Sequence, residues 1–326
     1  MFVCNDKKRT FAQSNILSMK KIVVSLFTAI ALTATAQQDP QFSQYMFNRV
    51  APNPASAGLK DAICATFLGR SQWMGFDGAP KTILLTVDAP LSIFDKNQGI
   101  AVTFLRDQIG FEKTIGAKLA YAYHYPMSPT TNLSFGLDLG LINKSMDYTK
   151  YVPHDGGDPV VPTTNTGGNG FDVGFGAMYS TQKWYGGISA SHLTGSRLSV
   201  AGSNYKIAQN LYIMGGYDYT LNSNITLQPS ILLKTDVKKL QADISCNALF
   251  KDKFWGGLSF RALSTDAVVL LAGVKLKDMK IGLSYDINLN KMAKYSNGGL
   301  ELMFSYCMKV AKKEKYISPI RNVRFL

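Results

Sequence analysis

The sequence predicts an all-β protein, a transmembrane antiparallel β-barrel of the outer membrane with about 14 strands behind a short N-terminal plug or helix segment. Three observations predict it. Hydrophobic residues make up 46% and aromatics 11% of the chain, yet only 17% of residues are charged, where soluble domains carry about 25%. Past residue 36 no apolar run approaches the roughly 20 residues a membrane helix needs. From residue 62 to 309 apolar side chains recur at every second position instead, which is the period of a strand with two unlike faces. A chain that crosses lipid without apolar helices must pair its backbone groups between strands of a closed barrel.

The N-terminus comes first. Residues 19–36, "MKKIVVSLFTAIALTATA", join Lys20 and Lys21 to an apolar run and a small-residue end, the pattern of a secretory signal peptide. Residues 1–18 then read as an upstream extension, with Met19 as the start and Gln37 as the first mature residue. No Cys follows the cleavage site, so a lipid anchor is not expected. The net charge is +13; residues 1–36 hold five basic residues and one acid, leaving +9 on the remainder. On an exported protein that surplus points to an acidic partner or an anionic membrane surface, not nucleic acid. Cys64, Cys246 and Cys307 are too few and too scattered for a disulfide framework and are expected as small strand residues.

Residues 37–60 follow neither pattern. Phe42, Tyr45 and Met46 stand three and four apart and would share one face of a short helix, and Phe47 adds a further aromatic ring. Asn53-Pro54 then ends regular structure ahead of the first strand, with Gly58 after it. Such a segment either plugs the lumen or periplasmic mouth or covers a partner-binding surface.

Strands are expected near 62–73, 81–88, 99–107, 113–125, 131–145, 170–180, 183–193, 206–220, 224–235, 238–250, 253–263, 266–276, 279–289 and 298–309. With periplasmic termini, the outward connections 146–169, 194–205 and 290–297 are long and most periplasmic ones tight, as bacterial barrels require. The segment 89–98 is the exception. Residues 310–326 form a basic tail expected in the periplasm, with Lys312, Lys313, Lys315, Arg321 and Arg324 against Glu314.

The same registers turn Arg70, Asp88, Asp107, Lys118, Asp138, Asp172, Asp218, Lys234, Asp243, Arg261, Asp286 and Glu301 inward. In lipid, a midplane Arg or Lys costs about 2–4 kcal/mol. They either line a pore or pair into a network that closes it. Catalytic chemistry finds little support. His124 alternates to the polar face, His154 sits in the longest loop, and His192 falls on the apolar face near a strand end. No metal or cofactor motif is present in the sequence. Trp73, Trp184 and Trp255 sit near strand ends, where interfacial girdle aromatics belong.

The stretches "DPQFSQYMFN" (39–48), "NPASAG" (53–58) and "RSQWMGFDGAPKTILLTVDAPL" (70–91), with Trp73, Gly75, Gly78 and Pro80, resemble the PorP/SprF family of type IX secretion system outer-membrane proteins, as do "LSFGL" (133–137) and "GLSYDINLNK" (282–291). Where that family tends to show Ser-His-Glu entering the last strand, this chain has Gly298-Gly299-Leu300-Glu301. The resemblance implies a barrel serving protein secretion and the display of gliding adhesins. Its implied partners are periplasmic and lipoprotein components of the machine, the C-terminal domain of a secreted surface protein, and outer-membrane lipid. A passive porin or small-molecule transporter is the alternative, and an embedded enzyme the third reading.

Overall fold

A computed structural model describes residues 39–93, 96–148, 166–200, 203–236, 238–263 and 266–310. The leader, the upstream extension, His154 and the basic tail from residue 311 lie outside the described residues. The strands are β1 (Ala62–Ser71), β2 (Lys81–Ile93), β3 (Lys96–Ile109), β4 (Glu112–Ser128), β5 (Thr131–Met146), β6 (Thr166–Ser180), β7 (Trp184–Ser191), β8 (Arg197–Val200) and β9 (Ser203–Lys206). They continue as β10 (Asn210–Tyr217), β11 (Tyr219–Asn222), β12 (Ile225–Thr235), β13 (Leu240–Phe250), β14 (Phe254–Ala262), β15 (Ala267–Leu276), β16 (Met279–Asn288) and β17 (Gly299–Lys309).

Each wall strand pairs antiparallel with its neighbours, β1 closes on β17, and β10 with its continuation β11 pairs β12. The result is a closed fourteen-strand barrel. A small hairpin, β8–β9, stands apart in the connection after β7 and packs Leu198 and Val200 against Met146.

Alternation has the consequence read from the sequence. Along β17, Leu302 and Phe304 are 46% and 41% exposed outward, while Glu301 and Met303 are fully buried inward. An apolar outer face held open to solvent has no place in water; in lipid it is the matching surface.

One end of the barrel carries tight connections at 129–130, 181–183, 223–224, 251–253 and 277–278, and there Ile93 pairs with Lys96 across β2 and β3. The other end carries the long connections 72–80, 147–165, 192–209 and 289–298 and the shorter ones 110–111, 236–239 and 263–266. Both wall termini, Ala62 and Lys309, pair at the short-turn rim. The expected long periplasmic loop at 89–98 is not one. Its residues extend the hairpin, Pro90 facing Gly99 and Leu91 facing Gln98.

Two further expectations are corrected. Cys64 and Cys307 stand directly opposite on the first and last strands, with Cα atoms 4.1 Å apart, and form a disulfide; Cys246 is free and exposed. Trp255 belongs to no girdle: it is 5% exposed, turned into the lumen, with its ring tilted against Phe47 at a centroid distance of 4.7 Å.

Candidate functional site

The segment from Asp39 to Gly58 runs through the lumen and is bonded to the wall along its length. No helix forms to gather Phe42, Tyr45 and Met46 on one face. Two 3₁₀ turns, Tyr45–Phe47 and Pro54–Ser56, are its only regular pieces. The aromatic residues splay instead. Tyr45 packs with Met178, Tyr212, Met214 and Leu232 on one wall, while Phe42 and Phe47 meet Leu68, Leu84, Trp255 and Met303 on the other.

The plug's first half is seated on charge. The Glu301 carboxylate accepts the backbone N–H groups of Ser43 (2.8 Å) and Gln44 (2.9 Å) and pairs with Arg70 at 3.2 Å. Asp286 takes Arg70 at 2.5 Å and Arg261 at 2.8 Å, and accepts the Ser43 hydroxyl at 2.8 Å. Arg261 Nε also reaches Asp243 at 2.8 Å. Both arginines donate to Ser43 Oγ, at 2.7 and 3.1 Å. Three carboxylates against two guanidiniums leave one negative charge, and the plug's backbone N–H groups meet it. Buried ions persist only when paired and hydrogen-bonded in this way.

Asp39 makes a second anchor near the long-loop end. His192 Nε2 lies 2.7 Å from its carboxylate, Tyr212 donates to it at 2.6 Å, and Lys234 donates to its carbonyl at 2.5 Å. Burial opposes the charge on Asp39, yet His192, Lys234 and Tyr212 together hold its carboxyl well below the usual carboxylate range. Behind it, His192 Nδ1 meets Asp172 at 2.9 Å, and Lys118 bridges Asp172 at 2.7 Å and Asp138 at 3.5 Å.

The sequence placed His192 on the apolar face. It is buried in the lumen because β7 ends at Ser191 and a left-handed backbone (φ 58°) at His192 reverses its side chain.

The plug's second half is seated on shape. Asn53 caps the turn at Ala55 N (3.0 Å), and its amide donates to the wall carbonyls of Ala177 (3.1 Å) and Ile188 (3.2 Å). Ser189 donates to Pro52 O at 2.5 Å. A carbonyl can only accept, so His124 Nε2 carries a proton toward Ala57 O at 2.9 Å, its other nitrogen facing Ser134. Gly58 N donates to Asp88 at 3.2 Å. Here plug and wall touch closely: a Cβ on Gly99 or Gly136 would collide with the backbone of Ala57 or Ala55, and one on Gly176 with the Asn53 side chain. Inward glycines are the plug's footprint.

Of the charges expected inside, Arg70, Asp243, Arg261, Asp286 and Glu301 form the first seat, and Lys118, Asp138, Asp172 and Lys234 gather around the second. Asp88 holds Gly58, and Asp107 accepts Thr82 at 2.6 Å without touching the plug. Asp218 lies at the short-turn mouth, exposed between β10 and β11, where Gln228 donates to it at 2.9 Å and it lines a cavity with Trp255 and Lys280.

The "RSQWMGFDGAP" stretch after Arg70 forms the first long connection. Trp73, Gly75 and Gly78 take positive φ, a conformation glycine adopts without steric cost. Pro80 accepts Gln72 N at 2.9 Å, and Met74 bonds Gly298 and Asn297 of the last connection. Asp39, Ser43, Gln44 and Trp255 are among the contacts between plug and wall that alternation alone does not single out.

A separate cavity flanks the plug at each end. The one toward the long loops is about 480 Å³, with Phe42, Leu105, Leu198 and Ile207 among apolar lining residues and Asp39 and His192 among polar ones. The one at the short-turn mouth is about 370 Å³.

The profile of the family described as "Type IX secretion system membrane protein PorP/SprF" matches residues 34–306. This chain belongs to that family. The PorP/SprF match spans the whole plug and nearly the whole wall, and it concerns a secretion-system family, not an enzyme family. No curated protein is similar enough in sequence to count as a match. Among solved structures, the monoaromatic hydrocarbon channel CymD superposes with a TM-score of 0.50 at 12% identity, covering 82% of this chain and 93% of that one. A Pseudomonas aeruginosa FadL homologue gives 0.45 at 11% identity over 83% and 95%. Acinetobacter baumannii Omp33 gives 0.44 at 8% over 76% and 99%. The likeness to CymD supports the fold alone, so this PorP/SprF chain is an outer-membrane β-barrel.

Proposed function

We propose that this barrel holds a partner protein at the outer membrane in type IX secretion, serving export or surface anchoring by protein–protein contact rather than by catalysis or solute conduction. The plug carries this reading. A segment bonded to both sides of the lumen, with separate cavities on either side of it, suits a closed scaffold and works against a pore. Short turns face the periplasm in bacterial barrels, which supports a periplasmic reading for both ends of the wall, Ala62 and Lys309, in keeping with an export signal read at 19–36. The expected partners are periplasmic and lipoprotein components, or the C-terminal domain of a surface protein such as a gliding adhesin.

Pull-down from gently solubilised outer membranes, paired with planar-bilayer recording, tests it. Co-purified secretion or surface proteins and no steady conductance are expected. Recovery of this chain alone, with strong conductance, overturns it.

The apolar wall of the 480 Å³ cavity, together with the fold shared with a protein described as a hydrocarbon channel, favours passive uptake of small molecules as the second reading. Conductance or uptake that changes with Arg70 or Arg261 supports that one instead.

A further inference from the structure

The cavity at the short-turn mouth has a charge pattern that the plug does not use. Lys183, Lys275 and Lys280 line it, with Asp218 and Asp252 as its acids and Trp255 at its wall. Lys275 and Lys280 stand directly opposite each other on β15 and β16, and like charges facing across a ladder are destabilising. Lys275 reaches Asp252 only at 3.9 Å, and that carboxylate is 78% exposed.

Lys280 makes no ion pair within 4.0 Å among the described residues. Its ammonium sits 5.5 Å over the Phe47 ring, and Lys60, Lys275 and Arg49 add positive charge around it against Asp218. Arg49 likewise lies 4.0 Å over Tyr185. Trp255 Nε1 is a buried donor with no partner among the described residues. Cations parked on aromatic faces beside an unmatched donor ask for a carboxylate.

We propose that the short-turn mouth docks an acidic segment of a partner protein, a side-chain carboxylate seating between Lys275, Lys280 and Trp255. The chain's own tail does not suit the place. β17 ends at this same rim, and in the sequence beyond it Lys312, Lys313, Lys315, Arg321 and Arg324 outnumber Glu314, so the tail offers no acidic segment. A bilayer headgroup does not suit it either, because Lys280 pairs in register with buried Ser305 on the inner face. The inference rests on the orientation and partner role above only for where that segment resides.

Fluorescence anisotropy of a labelled deca-glutamate peptide, titrated onto the full chain in detergent, tests the site without any secretion machine. A failure here therefore leaves the anchoring role intact, and a failed pull-down leaves the site intact. Saturable binding is expected, weakened about tenfold or more by K275E/K280E, less by K275Q/K280Q, and strongly by about 0.5 M salt. K206E on the distant β8–β9 hairpin should leave it unchanged. Heat-modifiable mobility in gels shows that each variant is folded. Equal affinity in the charge-reversed variant, equal binding of deca-lysine, full displacement by inorganic phosphate at matched charge, or loss of binding only on deleting 311–326 overturns the proposal.

Discussion

The two halves of the plug are held to one wall by different physics. Residues 39–48 sit on ions: Asp39 between His192 and Lys234, and Ser43 with Gln44 on the seat of Glu301, Asp286, Arg70 and Arg261. Residues 53–58 sit on backbone, held by carbonyls of β6 and β7 and by glycines that let Asn53, Ala55 and Ala57 approach. The first half resists movement because freeing it strands buried charges, and the second because no space exists for it to shift into. A charged seat can be unlocked by a competing ion pair. A steric one yields only to a change of shape.

The largest effect should come from Arg261→Ala, which strips Asp243 of the guanidinium that pairs with it and Asp286 of one of its two. Breaking a buried ion cluster costs about 3–5 kcal/mol, read as a lowered urea midpoint and the appearance of bilayer conductance. Arg261→Lys should not restore it, since a single ammonium lacks the planar fork that serves two acids and Ser43.

Gly136→Val or Gly176→Val, by overpacking, should cost about 1–3 kcal/mol and displace the second half. Cysteine accessibility at position 55 should rise while position 43 stays protected. If both positions open together, the halves are one unit and the distinction fails. Asn53→Ala removes a cap and two wall bonds, and a loss of about 1–2 kcal/mol is expected from urea titration.

Asp39→Asn gives the smallest and most diagnostic change. Asp39 is held below its unfolded value of about 3.9, so its contribution is fully present above that value and is lost as pH falls through the depressed folded one. The stability gap between wild type and D39N should stay constant from about pH 6 to 5 and close below about pH 4. A gap lost only as pH rises toward about 9 would assign the anchor to the His192 imidazolium, which burial disfavours but Asp39 and Asp172 hold up to about 9.

This contrast also marks what the sequence could show. Inward charges such as Arg70, Asp286 and Glu301 were legible because alternation assigns a face to each residue. The glycine footprint was half legible: Gly136 and Gly176 stood out on the polar face, but a small side chain does not say what fills the space above it. His192 was hidden by a single left-handed residue that reverses one side chain without disturbing the pattern around it. Residues 89–98 read as a loop because Pro90 and Asn97 look like turn residues, yet β2 and β3 carry on through these two. Cys64 and Cys307 are 243 residues apart, and only the closing register brings them opposite each other.

That disulfide changes the topology of the whole molecule. Residues 64–307 become a covalent hoop, and the chain ahead of Cys64 threads back through its own hoop, as in a lasso. Wall strands could otherwise part at the β1–β17 seam and let the threaded segment escape sideways. With the hoop shut, the segment can enter or leave only lengthwise through the short-turn mouth.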